Sequence, residues 1–109
     1  MIAPSSSAPA GADVVTLKAS MQFYRPSTFR VHPGETVAIH LENVGLKPMS
    51  IALALPSGTI ALKGKVKPNH DAFVVFNAPT QPGNYAFFDP LGDAKFVEEK
   101  PASFTVSER

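Results

Sequence analysis

Thr28-Phe29-Arg30-Val31-His32-Pro33-Gly34-Glu35-Thr36-Val37-Ala38-Ile39-His40-Leu41-Glu42-Asn43 is the stretch from which the fold of this chain can be read. Phe29 and Val31 alternate with Thr28, Arg30 and His32. After Pro33-Gly34, Val37, Ile39 and Leu41 alternate with Thr36, Ala38, His40 and Glu42. A period of two places one side-chain set on each face of a strand. Pro presets φ and Gly permits positive φ, so Pro33-Gly34 is turn chemistry between two strands.

The same pattern extends in both directions. Upstream, Val15 and Leu17 alternate with polar neighbours. Downstream, Met49, Ile51, Leu53 and Leu55 form one stripe, followed by a short run at 59–62. Residues 72–76 and 84–88 are richer in aromatics and read as central strands. Ala102, Phe104 and Val106 make the last run. Turn residues separate the runs, at Asn43-Val44-Gly45, Pro56-Ser57-Gly58, Pro68-Asn69, Pro82-Gly83 and Asp89-Pro90-Leu91-Gly92. About eight short strands at this spacing predict an all-β, antiparallel two-sheet Greek-key sandwich or barrel. Residues 93–100 could add a turn or two of helix. Leu41, Tyr85 and Phe87 are expected in the core, with Phe73 and Val75 or their alternating neighbours.

The 109 residues suit one domain. A hydrophobic fraction of 44% is ordinary for a globular protein. With 10 basic against 9 acidic residues, nucleic acid is not expected as a partner. No apolar run approaches the ~18–20 residues that cross a bilayer. The chain has no Cys, which excludes disulfides, thiol nucleophiles, iron–sulfur clusters and zinc–thiolate sites. Residues 1–12 are almost all small residues, Ser and Pro, and read as a disordered tether to a domain spanning 13–109. Such a tether suggests a mature form lacking an export signal or a membrane anchor, hence a location outside the cytoplasm, periplasmic or membrane-anchored. A cytosolic protein with a ragged N-terminus is the plainer alternative.

No catalytic constellation is present. No Ser occupies a Gly-x-Ser-x-Gly elbow and no Gly-rich phosphate loop occurs, so the protein is not expected to be an enzyme. His32 and His40 fall on the polar phase of their strands and read as solvated. His70 precedes a strand and reads as a turn residue.

The order of these runs resembles the cupredoxins. Residues 24–37 are similar to the opening of that family, with an aromatic, a Pro, an apolar-x-Val strand and a Gly turn. Leu41-Glu42-Asn43-Val44-Gly45 is similar to its strand ending in Asn before the first ligand loop. Lys67-Pro68-Asn69 with Phe73–Phe76, and Pro82-Gly83-Asn84-Tyr85-Ala86-Phe87-Phe88, resemble its later turn and strands. The resemblance runs from Asp13 to Val106. It implies a position for each ligand of a type 1 copper centre, which needs two imidazoles, a thiolate and a weak axial donor. Met49 stands where the first His would be and Asp89 where the Cys would be. Residues 90–101 hold neither His nor Met. Among cupredoxin-like proteins the chain looks most like a Cys-free subgroup of bacterial iron or copper handling, with Phe87-Phe88-Asp89 at the Cys position. That subgroup usually keeps a His just beyond, where this chain reads Pro90-Leu91-Gly92-Asp93.

An up-and-down strand count puts the loops 18–24, 43–47, 63–70 and 89–101 at one end. It gathers Met21, Met49, His70 and Asp89, with Asp93, Glu98 and Glu99, as metal-ligand candidates. Met and His suit Cu(I), and carboxylates suit harder ions. Met49 also keeps phase with the core stripe and reads as a plug, and Asp89 before Pro90 reads as a turn starter. The resulting expectation is an extracytoplasmic accessory domain without a blue-copper centre, binding a protein partner or a transition metal in a transport or respiratory system. The alternatives are an electron-transfer protein with an atypical copper or iron site and a structural β-sandwich module.

Overall fold

The computed structural model describes residues 2–20, 23–90 and 102–108. It contains β1 (Asp13–Ser20), β2 (Phe23–Arg25), β3 (Thr28–Val31), β4 (Thr36–Asn43), β5 (Ala52–Leu55), β6 (Gly58–Ala61), β7 (Asp71–Asn77), β8 (Gly83–Phe88) and β9 (Ala102–Val106). The strands form two packed sheets, one ordered β2-β1-β4-β7 and the other β3-β9-β8-β5-β6. This is an all-β Greek-key sandwich with nine strands among the described residues. The strand beyond the expected eight is β2, whose three residues are too few to show alternation.

The sheets are mixed, which corrects the antiparallel expectation. β1 runs parallel to β4, with Leu17 opposite Leu41, and β3 runs parallel to β9, with Phe29 opposite Phe104. The cause is the path between β1 and β4. The chain reverses into β2, crosses to the other sheet as β3, then reverses again at Gly34 (φ 71°), and so re-enters the first sheet in its original direction.

Alternation places the core between the sheets. Leu17, Val37, Ile39, Leu41 and Val74 of the first sheet are fully buried, as are Val31, Leu53, Phe104 and Val106 of the second, with Phe87 at 1% exposure. Phe29 stacks on Phe104 at 5.2 Å, and Tyr85, half-buried, packs on the same ring at 5.6 Å. In β7 it is the alternating neighbours Val74 and Phe76 that point inward, while Phe73 and Val75 are half-buried on the outer face. β8 is central as expected, but β7 lies at a sheet edge, which corrects its reading as a central strand. The stripe beginning at Met49 also changes character. β5 starts only at Ala52, and Met49 to Leu53 are buried without a break.

Residues 2–5 differ from the tether expectation. The Ile2 N–H donates to the Ala61 carbonyl at 2.8 Å, and the Ile2 carbonyl accepts from Lys63 N–H at 2.7 Å. Ser5 exchanges two backbone hydrogen bonds with Phe73, each 2.9 Å. β6 and β7 are edges of different sheets, so this segment straps the two together and occupies backbone groups that an open edge would expose. The helix expected over 93–100 lies outside the described residues.

Candidate functional site

Asn43, the last residue of β4, organises the end of the sandwich where the resemblance places copper. Its buried Nδ2 donates to the carbonyls of Lys47 (2.7 Å) and Val66 (2.9 Å), and its Oδ1 accepts from Gly45 N–H (2.9 Å). Its backbone N–H donates to the His70 carbonyl at 3.0 Å, and its carbonyl accepts from Asn69 N–H at 2.9 Å. One side chain thereby ties the loop after β4 to the loop before β7. A Cβ at Gly45 would stand 3.2 Å from Ser20 Cα and Oγ, so a larger residue there would push the end of β1 by a few tenths of an ångström.

Met49 is 2% exposed and belongs to the hydrophobic core. Its backbone pairs with Val66 in both directions, at 3.0 and 2.7 Å. The neighbouring Ser50 is buried, donates through Oγ to the Gly64 carbonyl at 3.1 Å, and accepts through its own carbonyl from the Tyr24 hydroxyl. Tyr24 lies edge-on to Phe87 at 5.3 Å. Burial, and secondarily the Asp89 carboxylate, hold its phenol well above the usual tyrosine range. Asp89 is itself 3% exposed. Met49, Ser50, Tyr24 and Asp89 are therefore buried near one another at this end, with Ser50 hydrogen-bonded to Tyr24 and Gly64.

His70 does not join them. It is exposed, its Nδ1–H donates to the Pro68 carbonyl at 3.0 Å, and it lines a shallow polar groove with Lys18, Glu42 and Asp71. Met21, Asp93, Glu98 and Glu99 lie outside the described residues. Among the described residues, no buried side-chain nitrogen or oxygen lacks a hydrogen-bond partner. The donors at this end are a core thioether and a carboxylate, with no imidazole or thiolate at the ligand positions. They do not fit a type 1 copper ion. The rim of the same end also carries two exposed apolar side chains, Val44 at 56% and Leu46 at 96% exposure.

Two groupings escaped the sequence reading. His40 is not simply solvated. Its ring stacks on Phe73 (4.5 Å between centroids, 10° between planes) and its Nε2 lies 2.6 Å from Asp71 Oδ2. The register explains this, because Phe73 stands directly opposite His40 on the outer face. At the other end of the sandwich, Asp13, His32 and Glu35 converge, with one ligand atom of each within 4.8 Å of the others. His32 Nδ1 is 3.4 Å from Glu35 Oε1. The Glu35 carboxyl is raised above its usual range, first by a hydrogen bond with Asp13 and then by desolvation and the charge of Asp13, against an opposing effect of His32. The spacing of His32 and Glu35 across Pro33-Gly34 was visible in the sequence. The approach of Asp13 depends on the parallel β1–β4 pairing.

No protein-family model matches the chain, and no curated protein matches it by sequence. Solved structures do match. Auracyanin from Roseiflexus castenholzii superposes with a TM-score of 0.71 at 18% identity, over 89% of this chain and 99% of that one. Auracyanin B gives 0.71 at 14% identity, over 98% and 99%. The metal-binding domain of the Streptococcus pneumoniae Cu(I)-exporting P-type ATPase CopA gives 0.67 at 15% identity, over 97% and 96%. At these identities the likeness is one of architecture, and the fold of this chain is cupredoxin-like.

Proposed function

We propose that this chain is a non-catalytic, extracytoplasmic accessory domain of a bacterial metal-transport or respiratory system, which docks a protein partner through the end where cupredoxins hold copper. One observation carries the reading. The ligand positions at that end are filled by buried Met49 and Asp89, while Leu46 on the rim is 96% exposed. An exposed apolar side chain on a loop fixed from beneath by Asn43 is a contact presented in a defined place. Electron transfer through an atypical copper or iron site is the competing reading, and it needs donors at Met49 and Asp89.

The test combines metal analysis with crosslinking. Protein purified without chelator is expected to contain no redox-active copper or iron whose content depends on Met49. A photo-crosslinking residue at Leu46, in cells making the chain, should give a discrete adduct that the same residue at Thr59 does not. Redox-active metal at one per chain, abolished by Met49→Leu, would overturn the proposal in favour of electron transfer. Identical adduct patterns from positions 46 and 59 would also overturn it.

A further inference from the structure

We infer that Asp13, His32 and Glu35 form a binding site for a divalent cation of the zinc or copper(II) class, at the end of the sandwich opposite Met49 and Asp89. The separation follows from the register. Asp13 pairs with Val37 at the start of β4, whereas Ala19 pairs with Asn43 at its end. Six residues of extended strand lie between, a distance of about 20 Å.

The donor set is one imidazole nitrogen and two carboxylate oxygens. An acidic patch alone would suit calcium or magnesium. The imidazole shifts the preference to borderline ions, for which copper(II) and zinc bind more tightly than manganese at a given N/O site. Three protein donors leave the remaining coordination positions to water.

The backbone holds these donors in place. Asp13 is fixed by the β1–β4 pairing. His32 and Glu35 flank the Pro33-Gly34 turn, which is anchored at both sides. Gly34 N–H donates to the Pro79 carbonyl at 3.2 Å, and the Glu35 carbonyl accepts from Ala78 N–H at 2.8 Å. Donors about 2.0–2.2 Å from one tetrahedral ion stand roughly 3–3.5 Å apart. His32 and Glu35 already meet that spacing at 3.4 Å. The full set, within 4.8 Å, closes by a small rotation of side chains that have solvent beside them. Asp13 and Glu35 also bring two carboxylates together, with an oxygen of each within 4.8 Å of the other. A divalent ion between them replaces a like-charge contact with two attractive ones.

The experiment is a calorimetric Zn2+ titration of the full chain, its His32→Ala and Glu35→Gln variants, and His70→Ala and Met49→Leu as controls. Substoichiometric Cu2+ with amide NMR then locates the ion by paramagnetic broadening. The expected result is one saturable Zn2+ per chain. Each of His32→Ala and Glu35→Gln should weaken it by at least about tenfold, since loss even of a group behind a ligand commonly costs that much. The controls should bind as the wild type does. Broadening should centre on residues 13 and 32–35. These substitutions are at the surface, and an unchanged circular dichroism spectrum separates loss of binding from loss of fold. Absence of saturable Zn2+ binding, binding unchanged in both site variants, or broadening centred on Met49, Asp89 or His70 would each overturn the inference.

Discussion

Truncating Phe87 to Ala tests the packing of the sandwich most directly. Phe87 is 1% exposed and sits on β8, between β9 and β5, opposite Ala102 and Leu53. Its ring meets Tyr24 at 5.3 Å and Phe29 at 5.4 Å. Buried Phe→Ala changes cost about 3–5 kcal/mol, and the cost is greatest where the surroundings cannot collapse. A central strand paired on both sides cannot move into the gap. Two aromatic contacts, each worth about 0.5–1.5 kcal/mol beyond area burial, are lost as well. We expect a loss of about 4–5 kcal/mol, against roughly 5–15 kcal/mol for a whole domain. The midpoint of thermal unfolding should fall by roughly 20 °C. Phe88, half-buried on the opposite face, is the internal control, and Phe88→Ala should cost less than about 1.5 kcal/mol. The chain has no Trp, so urea and thermal melts are followed by far-ultraviolet circular dichroism. A Phe88→Ala variant as damaged as Phe87→Ala, or a Phe87→Ala loss below about 1 kcal/mol, would refute the assignment of β8's inward face.

Three further outcomes are expected. The buried Tyr24 phenol stays neutral in the folded protein well above pH 10, where the unfolded chain's tyrosine ionises. Its contribution is therefore intact below about pH 10 and is lost as pH rises toward the folded value, by about 1.4 kcal/mol per pH unit. In Tyr24→Phe the alkaline decline measured by urea melts should be shallower by that slope; equal slopes would show that the phenol is not protected. His40→Ala should cost about 1 kcal/mol, from loss of the Phe73 stack and the Asp71 contact, and a loss within experimental error in chemical denaturation would mean the ring is solvated. Deleting residues 1–5 should speed hydrogen exchange at the amides of Lys63 and Phe73, which donate to that segment; unchanged rates would deny the strap.

The layered fold was readable because each long strand carries a period of two that burial demands, as in Val37, Ile39 and Leu41. Strand partners were not, because Thr28 pairs with Ser103 and Asp13 with Val37 through the path of the chain rather than through any local signal. The strap of residues 2–5 is held by backbone groups, which every sequence supplies, so a run of small residues gave no sign of it. Met49 is buried as expected, but not through strand phase, because residues 49–53 are all buried and β5 begins only at Ala52. The Asp13–His32–Glu35 cluster and the stacking of His40 are products of register, visible only once the strands are placed side by side.

The position of β9 bears on how the molecule comes into being. It is the last of the described strands in chain order, yet it lies inside its sheet, with β3 on one side and β8 on the other. During synthesis from the N-terminus, β3 has no partner in its own sheet until residues 102–106 have emerged. Until then Phe29, Phe76 and Tyr85 lack the ring of Phe104 on which they pack, and closing the β3–β9 contact spans most of the polypeptide. Acquisition of the native state is thus deferred until residues 102–106 have been made, and a nascent chain arrested before Ala102 would remain a substrate for chaperones and proteases.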